Sequence, residues 1–384
     1  METEMVVKIA DCILSPLGCG TFVNYEAAKK GLTSLRRYEN KWGLPEAFVA
    51  SFFDEDMLST VCTEVGVGSD YTRFERMAIA VTAKALAQTD VDAASPDTMF
   101  ILASTKGNVH LLSRETECNV EGLSLPVSAH KIAGWFGNSR APLVVSNACI
   151  SGLHAQIEAV RMLLVKHAKT VIVIAADMLS PFIVSGFQAF KTVSDELCRP
   201  FDEERLGLNL GEAAACVLYQ LKTRDEIKAS DWIARTGVVF NDAFHISHPS
   251  RTAEGSRRAL AGAMQGISAS SLAMVNVHGT ATMYNDEMEA VALDLAGLDD
   301  VPINSLKGFW GHTLGAAGLL ETLITMASLD DGVVLGTKGF SALGVSRKVN
   351  ISADNRMAIG KSFIKLISGF GGCNAAMAFE TIGR

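Results

Sequence analysis

Short apolar runs rich in β-branched residues alternate along the chain with apolar positions at helical spacing. Two such runs, 142–145 and 170–175, are typical of buried parallel strands. Between them, apolar residues recur at spacings of three and four, which places one stripe on the face of a helix. These residues are Ile150, Leu153, Ile157, Val160 and Leu164. The pattern predicts a strand, a helix from about residue 150, and a second strand parallel to the first.

A related pattern returns in the second half of the chain. An apolar strand at 301–305 leads into the small residues 311–318 and then into a helix through Leu329. The first helix opens at 148–152 with similarly small side chains. Two such strand-to-helix junctions predict a duplicated architecture.

The charged stretch 222–228 is the candidate divide between the two repeats. We therefore predict an N-terminal half, 1–222, and a C-terminal half, 223–384. Because no linker rich in proline or serine lies between them, we expect the halves to share one packed interface.

The 384-residue chain is 48% hydrophobic and 20% charged, which is typical of a folded globular protein. Its formal net charge of −8 repels phosphate backbones, so we expect no nucleic-acid partner. The acidic start lacks the basic segment of a signal peptide, and no apolar segment approaches the ~20 residues of a membrane span. We expect a cytoplasmic protein with no membrane partner, in which the eight scattered cysteines are reduced thiols.

Cys149 stands where the strand at 142–145 ends and the predicted helix begins. A helix N-terminus presents unpaired N–H groups and a partial positive charge, which stabilise a thiolate and lower the cysteine pKa below its free value of about 8.5. No other cysteine of the chain has this context, which predicts a nucleophile. The alternative interpretation is a cysteine packed at a tight turn.

Two of the eight histidines lie in small-residue settings after apolar strands. His278 follows the strand at 272–276 and precedes small, hydroxyl-bearing residues that leave room for a ligand. His312 opens the helix of the second repeat, where the positive end of a helix favours the neutral imidazole. Both positions indicate an active site, and the alternative for each is a structural histidine whose hydrogen bonds are satisfied.

Glu321 places a carboxylate on an otherwise apolar helical stripe. The apolar members of that stripe are Leu314, Ala317 and Ile324. An unpaired buried charge would be costly, so we expect a partner, for which Lys307 is the candidate. Together the two side chains would orient His312. The alternative is a solvated glutamate at the edge of the stripe.

The strand at 363–368 runs into a glycine-rich turn at 369–374. Glycines such as Gly371 permit positive φ angles and let backbone N–H groups approach a ligand oxygen. The turn is therefore a candidate for substrate binding and for half of an oxyanion hole. The alternative is a plain hairpin turn, since the apolar residues 375–379 continue as a second strand.

Taken in order, these motifs resemble those of the elongating β-ketoacyl-[acyl-carrier-protein] synthases, members of the thiolase superfamily. Residues 13–18, 199–202 and 211–213 resemble further motifs of that family, so the resemblance spans nearly the whole chain. It implies an α/β, thiolase-like fold in which two similar βαβαβαββ halves form a five-layered αβαβα architecture. Members of the family are usually dimers.

The resemblance also implies a role for each candidate residue. Cys149 corresponds to the acyl-accepting nucleophile, and His278 and His312 correspond to the paired histidines. Lys307 and Glu321 correspond to the pair that supports them. Thr280 and Thr282 correspond to residues whose hydroxyls contact the pantetheine arm of the carrier. Phe370 corresponds to a gating residue whose N–H forms part of an oxyanion hole.

The activity that the resemblance implies is a decarboxylative Claisen condensation of a cysteine-bound acyl group with malonyl carrier, in fatty-acid or polyene/polyketide-type synthesis. It needs no metal and no organic cofactor. His245 and His248 are three residues apart, but they lack the carboxylate or cysteine company of a metal site. Ser368 and Cys373 depart from the family pattern, which leaves the identity of the acyl substrate open.

The implied partners are acyl- and malonyl-loaded acyl carrier protein and a second subunit, either a copy of this chain or a chain-length-factor-like protein. Acyl carriers are acidic, so docking on this net-negative chain requires local cations near the tunnel mouth. The candidates, by their position relative to the family's docking sites, are Arg73, Arg76 and Arg205.

Two other functions stay open. A coenzyme A thiolase shares the fold but uses a second cysteine as its acid and base, for which Cys373 is the candidate. A noncatalytic chain-length-factor-like subunit would bind carrier and shape the acyl tunnel of a heterodimer. The presence of Cys149 together with both histidine motifs favours the decarboxylating synthase.

Overall fold

The computed structural model describes residues 4–113 and 120–382. Within these ranges the α-helices are α1 (Thr21–Lys29), α2 (Glu55–Val65), α3 (Arg73–Leu86), α4 (Leu125–Trp135), α5 (Ser151–Leu164), α6 (Pro181–Ala189), α7 (Glu254–Ala263), α8 (Met283–Leu295), α9 (Lys307–Trp310) and α10 (Ala317–Asp330). None of the helices in the described part of the chain is long and apolar enough to cross a membrane.

The strands are, in chain order, β1 (Met5–Ser15), β2 (Gly18–Cys19), β3 (Arg36–Tyr38), β4 (Phe48–Ser51), β5 (Thr98–Ala103), β6 (Leu143–Val145), β7 (Thr170–Asp177), β8 (Leu210–Gly211), β9 (Ala213–Lys222), β10 (Trp232–Ala234), β11 (Val238–Asn241), β12 (Met274–Asn276), β13 (Pro302–Asn304), β14 (Val333–Val334), β15 (Asn350–Ile351), β16 (Arg356–Met357), β17 (Ser362–Gly369) and β18 (Cys373–Thr381). Two small sheets, β3-β4-β8 and β14-β16, accompany one large sheet of 13 strands.

The large sheet consists of two arms with the same topology. The first arm has the strand order β6-β5-β7-β9-β1, and the second has the order β13-β12-β17-β18-β10. In each arm the first three strands are parallel and the last two pair antiparallel with their neighbours. Hydrogen bonds between β1 and β10 join the arms. The duplication predicted from the two strand-to-helix junctions is thus present in the topology, while the boundary at 222/223 stays a prediction.

The strand-helix-strand unit predicted at 142–175 is present as β6, α5 and β7. The two strands are parallel but do not touch, because β5 lies between them and pairs with both. Local periodicity shows that two strands flank a helix. It does not show which earlier segment fills the space between them.

The helices form three layers around the two arms. α5 and α10 pack against each other between the arms, while α3 covers the outer face of the first arm and α7 and α8 cover that of the second. The order of layers is therefore αβαβα. Alternate residues of β7 belong to the inner and the outer apolar core, so this strand is buried on both faces and its sequence is a continuous apolar run.

Glycines let α5 and α10 approach each other closely in the central layer. A Cβ on Gly152 would lie 2.6 Å from the carbonyl oxygen of Gly315 and 3.0 Å from the nitrogen of Leu319. A Cβ on Gly318 would lie 2.6 Å from the nitrogen of Leu153. The small residues at both helix openings are therefore a packing requirement of the fold, whatever else they do.

Gly152→Ala is expected to lower the free energy of unfolding by ~1–3 kcal/mol, because the added methyl group overlaps backbone atoms that have no room to move. The matched control is Gly134→Ala in α4, where nothing lies within 4 Å of the added carbon. The control should leave stability unchanged or raise it by up to about 1 kcal/mol. Urea unfolding of both variants measures the difference, and equal stabilities would contradict the packing argument.

Candidate active site

Cys149 lies in a tight turn between β6 and α5. The residue before it, Ala148, has a φ of +45°, a left-handed conformation that is strained for a residue other than glycine and is typical of functional turns. The Ser151 hydroxyl accepts a hydrogen bond from the Asn147 N–H (2.8 Å) and donates one to the Ala148 carbonyl (2.6 Å), which holds the turn. Cys149 is 6% exposed and lines a cavity of about 200 Å³.

Two buried carboxylates of α8 position the loop that carries His278. The Glu289 carboxylate accepts hydrogen bonds from the N–H groups of His278 (2.6 Å) and Gly279 (2.7 Å). Asp286 accepts a hydrogen bond from the Thr280 N–H at 2.9 Å. With its backbone held from α8, His278 lines the same cavity as Cys149.

The loop that carries His312 is held by the first half of the chain. The His312 N–H donates to the Asn209 carbonyl (2.7 Å), and the His312 carbonyl accepts from the Gly211 N–H (3.0 Å). A side chain does not fit at position 211, since its Cβ would lie 1.9 Å from the carbonyl oxygen of Trp310. The Nδ1 atom of His312 accepts a hydrogen bond from the Leu314 N–H (3.3 Å), so we assign the ring proton to Nε2.

The three side chains converge although they come from distant parts of the chain. The Cys149 sulfur and one nitrogen each of His278 and His312 lie within 4.8 Å of one another, and the ring centroids are 4.9 Å apart. Each ring also has a buried nitrogen without a hydrogen-bond partner among the described residues, Nδ1 of His278 and Nε2 of His312. Unpaired buried polar atoms are costly, so this pair indicates a binding site for a ligand oxygen.

Burial sets the protonation of all three groups. Burial, followed by the charge of Lys307, lowers the pKa of His278 and that of His312 well below the usual value, so both rings are neutral at pH 7. Burial raises the pKa of Cys149 to about 11, although nearby lysines and the Phe370 N–H act in the opposite direction. The sequence-based prediction of a lowered cysteine pKa is therefore wrong, because it leaves out the cost of burying a thiolate.

The donor set of one thiol and two imidazoles would suit a zinc ion by ligand type. The electrostatic surroundings of these side chains do not suit a zinc ion, because several positive charges lie nearby. Lys106 and Lys307 act on Cys149, and Lys307 and Lys365 act on both rings. A positive potential disfavours a divalent cation. We therefore keep the expectation that the site works without a metal.

Glu321 is buried between two lysines, only one of which the sequence analysis identifies. Its carboxylate accepts hydrogen bonds from the Nζ atoms of Lys307 (2.5 Å) and Lys365 (2.6 Å). Burial raises the pKa of Glu321, but the two lysines outweigh it and hold that pKa below the ordinary value. The signal for Lys365 is a lysine in the middle of an apolar strand, where its side chain has no route to water.

The glycine-rich turn approaches Cys149 through Phe370 and not through Gly371. The Phe370 N–H lies near the Cys149 sulfur and acts to lower the pKa of that thiol. The Phe370 ring lies against Phe187 and Phe190, with centroid distances of 5.4 and 5.3 Å. Gly371 is exposed, its N–H donates to a carbonyl of the facing loop (2.7 Å), and it does not line the cavity.

The other candidate residues divide between the cavity and its surroundings. Thr280 and Thr282 line the cavity, with their hydroxyl oxygens 2.9 Å apart. His245 and His248 are exposed at the same cavity, with their Nδ1 atoms 3.1 Å apart, and within the described residues they belong to no cluster of metal-ligand type. Cys373 does not line the cavity, and its sulfur accepts a hydrogen bond from an amide side chain at 3.2 Å.

Two of the three arginines predicted to dock a carrier already form ion pairs or hydrogen bonds within the protein. Arg73 forms a bidentate pair with the buried Glu212 (3.0 and 2.9 Å). Arg205 is 4% exposed and donates to three backbone carbonyls (2.9, 2.6 and 3.4 Å). Arg205 is thus not the surface cation that the docking prediction requires, because position in the sequence does not show which cations are already paired. The docking role of Arg73 stays a prediction. Arg76, half-buried on α3, also stays a candidate.

Comparison with known proteins relates this site to a family. Residues 68–224 match the model of the β-ketoacyl synthase N-terminal domain, and residues 232–341 match the model of its C-terminal domain. The 3-oxoacyl-[acyl-carrier-protein] synthase 2 of Vibrio cholerae is 32% identical over 265 residues, which cover 62% of each chain. The enzyme of the same name from Mycobacterium leprae is 29% identical over 252 residues, 61% of this chain and 59% of the relative. The chain thus spans about three fifths of the length of the curated relatives it matches.

Solved structures share the fold over a larger part of the chain. A β-ketoacyl synthase from Burkholderia phymatum matches with a TM-score of 0.86 at 22% identity, covering 99% of this chain and 100% of that one. A chain from the complex of the ketosynthase ApeO with its chain length factor ApeC, from Xenorhabdus doucetiae, matches with a TM-score of 0.85 at 20% identity, covering 98% of both chains. These matches confirm the predicted thiolase-like α/β fold. The two domain matches, which together cover more than half of the sequence, show that the chain belongs to the β-ketoacyl synthase family.

Proposed function

We propose that this protein is a β-ketoacyl-[acyl-carrier-protein] synthase that condenses a Cys149-bound acyl group with malonyl carrier and releases CO₂. The observation that carries the proposal is the convergence of one buried thiol and two neutral imidazoles, each with an unpaired nitrogen, in one cavity. The thiol is suited to accept an acyl group, and the two rings are suited to stabilise the thioester oxygen of a second substrate.

In the first half-reaction the Cys149 sulfur attacks the thioester carbon of the acyl carrier. Because the pKa of Cys149 is about 11, the thiol gives up its proton during the attack, and a neutral imidazole within 4.8 Å accepts it. The N–H groups of Cys149 and Phe370 support the oxyanion that develops. The carbon–sulfur bond to the carrier then breaks, the proton passes to the carrier sulfur, and the acyl group stays on Cys149.

In the second half-reaction malonyl carrier loses CO₂, and the electrons of the broken carbon–carbon bond move to the thioester oxygen as an enolate. The Nε2–H of His312 donates a hydrogen bond to that oxygen, and His278 supplies the second. The enolate carbon attacks the acyl carbonyl, and the bond from that carbon to the Cys149 sulfur breaks. The released thiolate takes a proton from water, which restores the neutral thiol. The product is a β-ketoacyl thioester two carbons longer than the acyl group.

In this proposal both substrates arrive on acyl carrier protein. Thr280 and Thr282, which line the cavity wall, contact the pantetheine arm. Arg76 contacts the acidic carrier surface. Structural relatives include the ishigamide ketosynthase/chain length factor and the AntDE ketosynthase in complex with the acyl-carrier protein AntF. By analogy, a copy of this chain or a chain-length-factor-like protein supplies a second subunit. A cytoplasmic location stays a prediction.

The two alternatives have less support. A thiolase needs its second cysteine in the site, whereas Cys373 does not line the cavity. A noncatalytic subunit does not need an acyl acceptor, whereas Cys149 lies in the cavity beside both imidazoles. The site therefore favours the decarboxylating synthase.

Alkylation of Cys149 by iodoacetamide is expected to accelerate about tenfold per pH unit from pH 7 to 9 without levelling off, because only the thiolate reacts and the pKa of the thiol is about 11. Mass spectrometry of the Cys149 peptide measures the rate, and Cys149→Ala gives the background from other cysteines. A rate that levels off below pH 8 would show a lowered pKa and contradict the assignment.

Incubation with acyl carrier is expected to add the mass of the acyl group to the wild-type protein, because the buried thiol is its acyl acceptor. Cys149→Ala should lose this mass shift. The matched control, Cys373→Ala, should keep it, because the Cys373 sulfur lies outside the cavity. Intact-protein mass spectrometry makes the comparison, and an unmodified wild type would favour the noncatalytic subunit.

Malonyl carrier added to the acylated protein should release one CO₂ for each β-ketoacyl product, because the enolate forms by decarboxylation. Acetyl-CoA should not replace it as the extender. Coupled measurement of CO₂ and of product mass tests this expectation. Chain extension from acetyl-CoA without CO₂ would instead identify a thiolase.

A further inference from the structure

Lys365 is a fully buried lysine that lies in the middle of β17. Its Nζ donates to the Glu321 carboxylate (2.6 Å), the Asn276 side-chain oxygen (2.6 Å) and the Val277 carbonyl (3.3 Å). An ammonium group has three N–H bonds, so each of them has an acceptor. Lys365 is thus held as a fixed cation in the interior.

The hydrogen bonds of Lys365 connect the two histidine loops. Glu321 belongs to α10, the helix that follows His312. Val277 directly precedes His278. Lys365 thus connects α10, which follows His312, to the end of the strand that precedes His278. A displacement of Glu321 would therefore be passed to both loops.

A purely structural role does not require a charge at position 365. Glu321 already has an ion-pair partner in Lys307, and burying a further ammonium group costs several kcal/mol. The neighbours of Lys365 in β17, Ile364 and Leu366, are apolar and fully buried, so an apolar residue would continue the strand. The desolvation cost indicates that the charge itself has a function.

The titratable groups that face Lys365 are Glu321, Lys307, Glu289, His278 and His312. Burial lowers the pKa of Lys365 to about 8, with a contribution from Lys307, although Glu321 and Glu289 oppose the shift. Lys365 is therefore charged at pH 7 and loses its charge as the pH rises above about 8. While charged, it helps to lower the pKa of both imidazoles and adds positive potential to the site.

We propose that Lys365 is a positioning residue for the condensation half-reaction: its ammonium fixes Glu321 against the strand end before His278, and its charge supports the enolate that forms between the two neutral imidazoles. This inference rests on the proposed synthase function. Acyl transfer has a different requirement, since it needs an imidazole that accepts a proton. Losing a nearby positive charge raises the pKa of the imidazole and makes it a better proton acceptor. The two half-reactions should therefore respond differently when Lys365 is changed.

Lys365→Met removes the charge and keeps the length of the side chain. With the protein acylated beforehand at Cys149, we expect product formation from malonyl carrier to slow about 10- to 100-fold, while acylation itself is not slowed. Wild-type condensation should fall above about pH 8 as Lys365 loses its proton, and the variant should lack this fall. Glu289, whose pKa burial raises to about 7, titrates at lower pH in the wild type. Because the charge of Lys365 lowers that pKa, the pKa of Glu289 is higher in the variant.

The matched control is Lys361→Met, the same substitution at a lysine just before β17 whose Nζ pairs with Asp330 at the surface (3.3 Å). Neither half-reaction should change in this control by more than about twofold. Lys365→Gln keeps hydrogen-bond donors without the charge and should show the same split between the half-reactions, which provides the test if the Met variant does not fold.

Equal slowing of acylation and condensation in the Lys365 variants would overturn the inference, because a general structural defect affects both steps. A wild-type condensation rate that stays constant from pH 7 to 9 would overturn it as well. A wild-type protein that forms no acyl-Cys149, or releases no CO₂ from malonyl carrier, would instead overturn the proposed function and is recognised before any variant is made.

Discussion

The site depends on one carboxylate buried between two ammonium groups. Glu321 accepts hydrogen bonds from Lys307 and Lys365, and all three side chains are at most 2% exposed. Without the carboxylate, two like charges would be left uncompensated in the interior, which is strongly destabilising. The unit is therefore fixed in place. Because it lies between the helix after His312 and the strand before His278, it also fixes the distance between the two imidazoles.

The sequence predicts the fold class well and the neighbours of each strand poorly. Buried parallel strands and amphipathic helices have different periods, so two similar strand-to-helix junctions are enough to predict a duplicated α/β fold. The insertion of β5 between β6 and β7, and the pairing of β1 with β10 that joins the arms, do not follow from local patterns. Both depend on contacts between segments that are distant in the chain.

In the site, the sequence predicts which groups meet but not their charge states. Cys149 and His278 each follow a strand end, and all three residues are followed by small residues, a local signal that needs no knowledge of packing. Protonation depends on burial, which the sequence does not give, and the predicted direction for the Cys149 pKa is wrong for that reason. The same limit explains why Lys365, one lysine within a strand pattern, is missed, and why Arg205 is taken for a surface cation.

Burial has opposite effects on a thiol and an imidazole, and the combination determines what the site can do. It raises the pKa of Cys149 and lowers those of His278 and His312, so the site holds a neutral thiol and two neutral rings instead of an ion pair. An imidazolium could not take the thiol proton. Neutral rings can accept a proton in acyl transfer and donate hydrogen bonds in condensation. One property, the exclusion of water, thus supports both half-reactions of the proposed synthase.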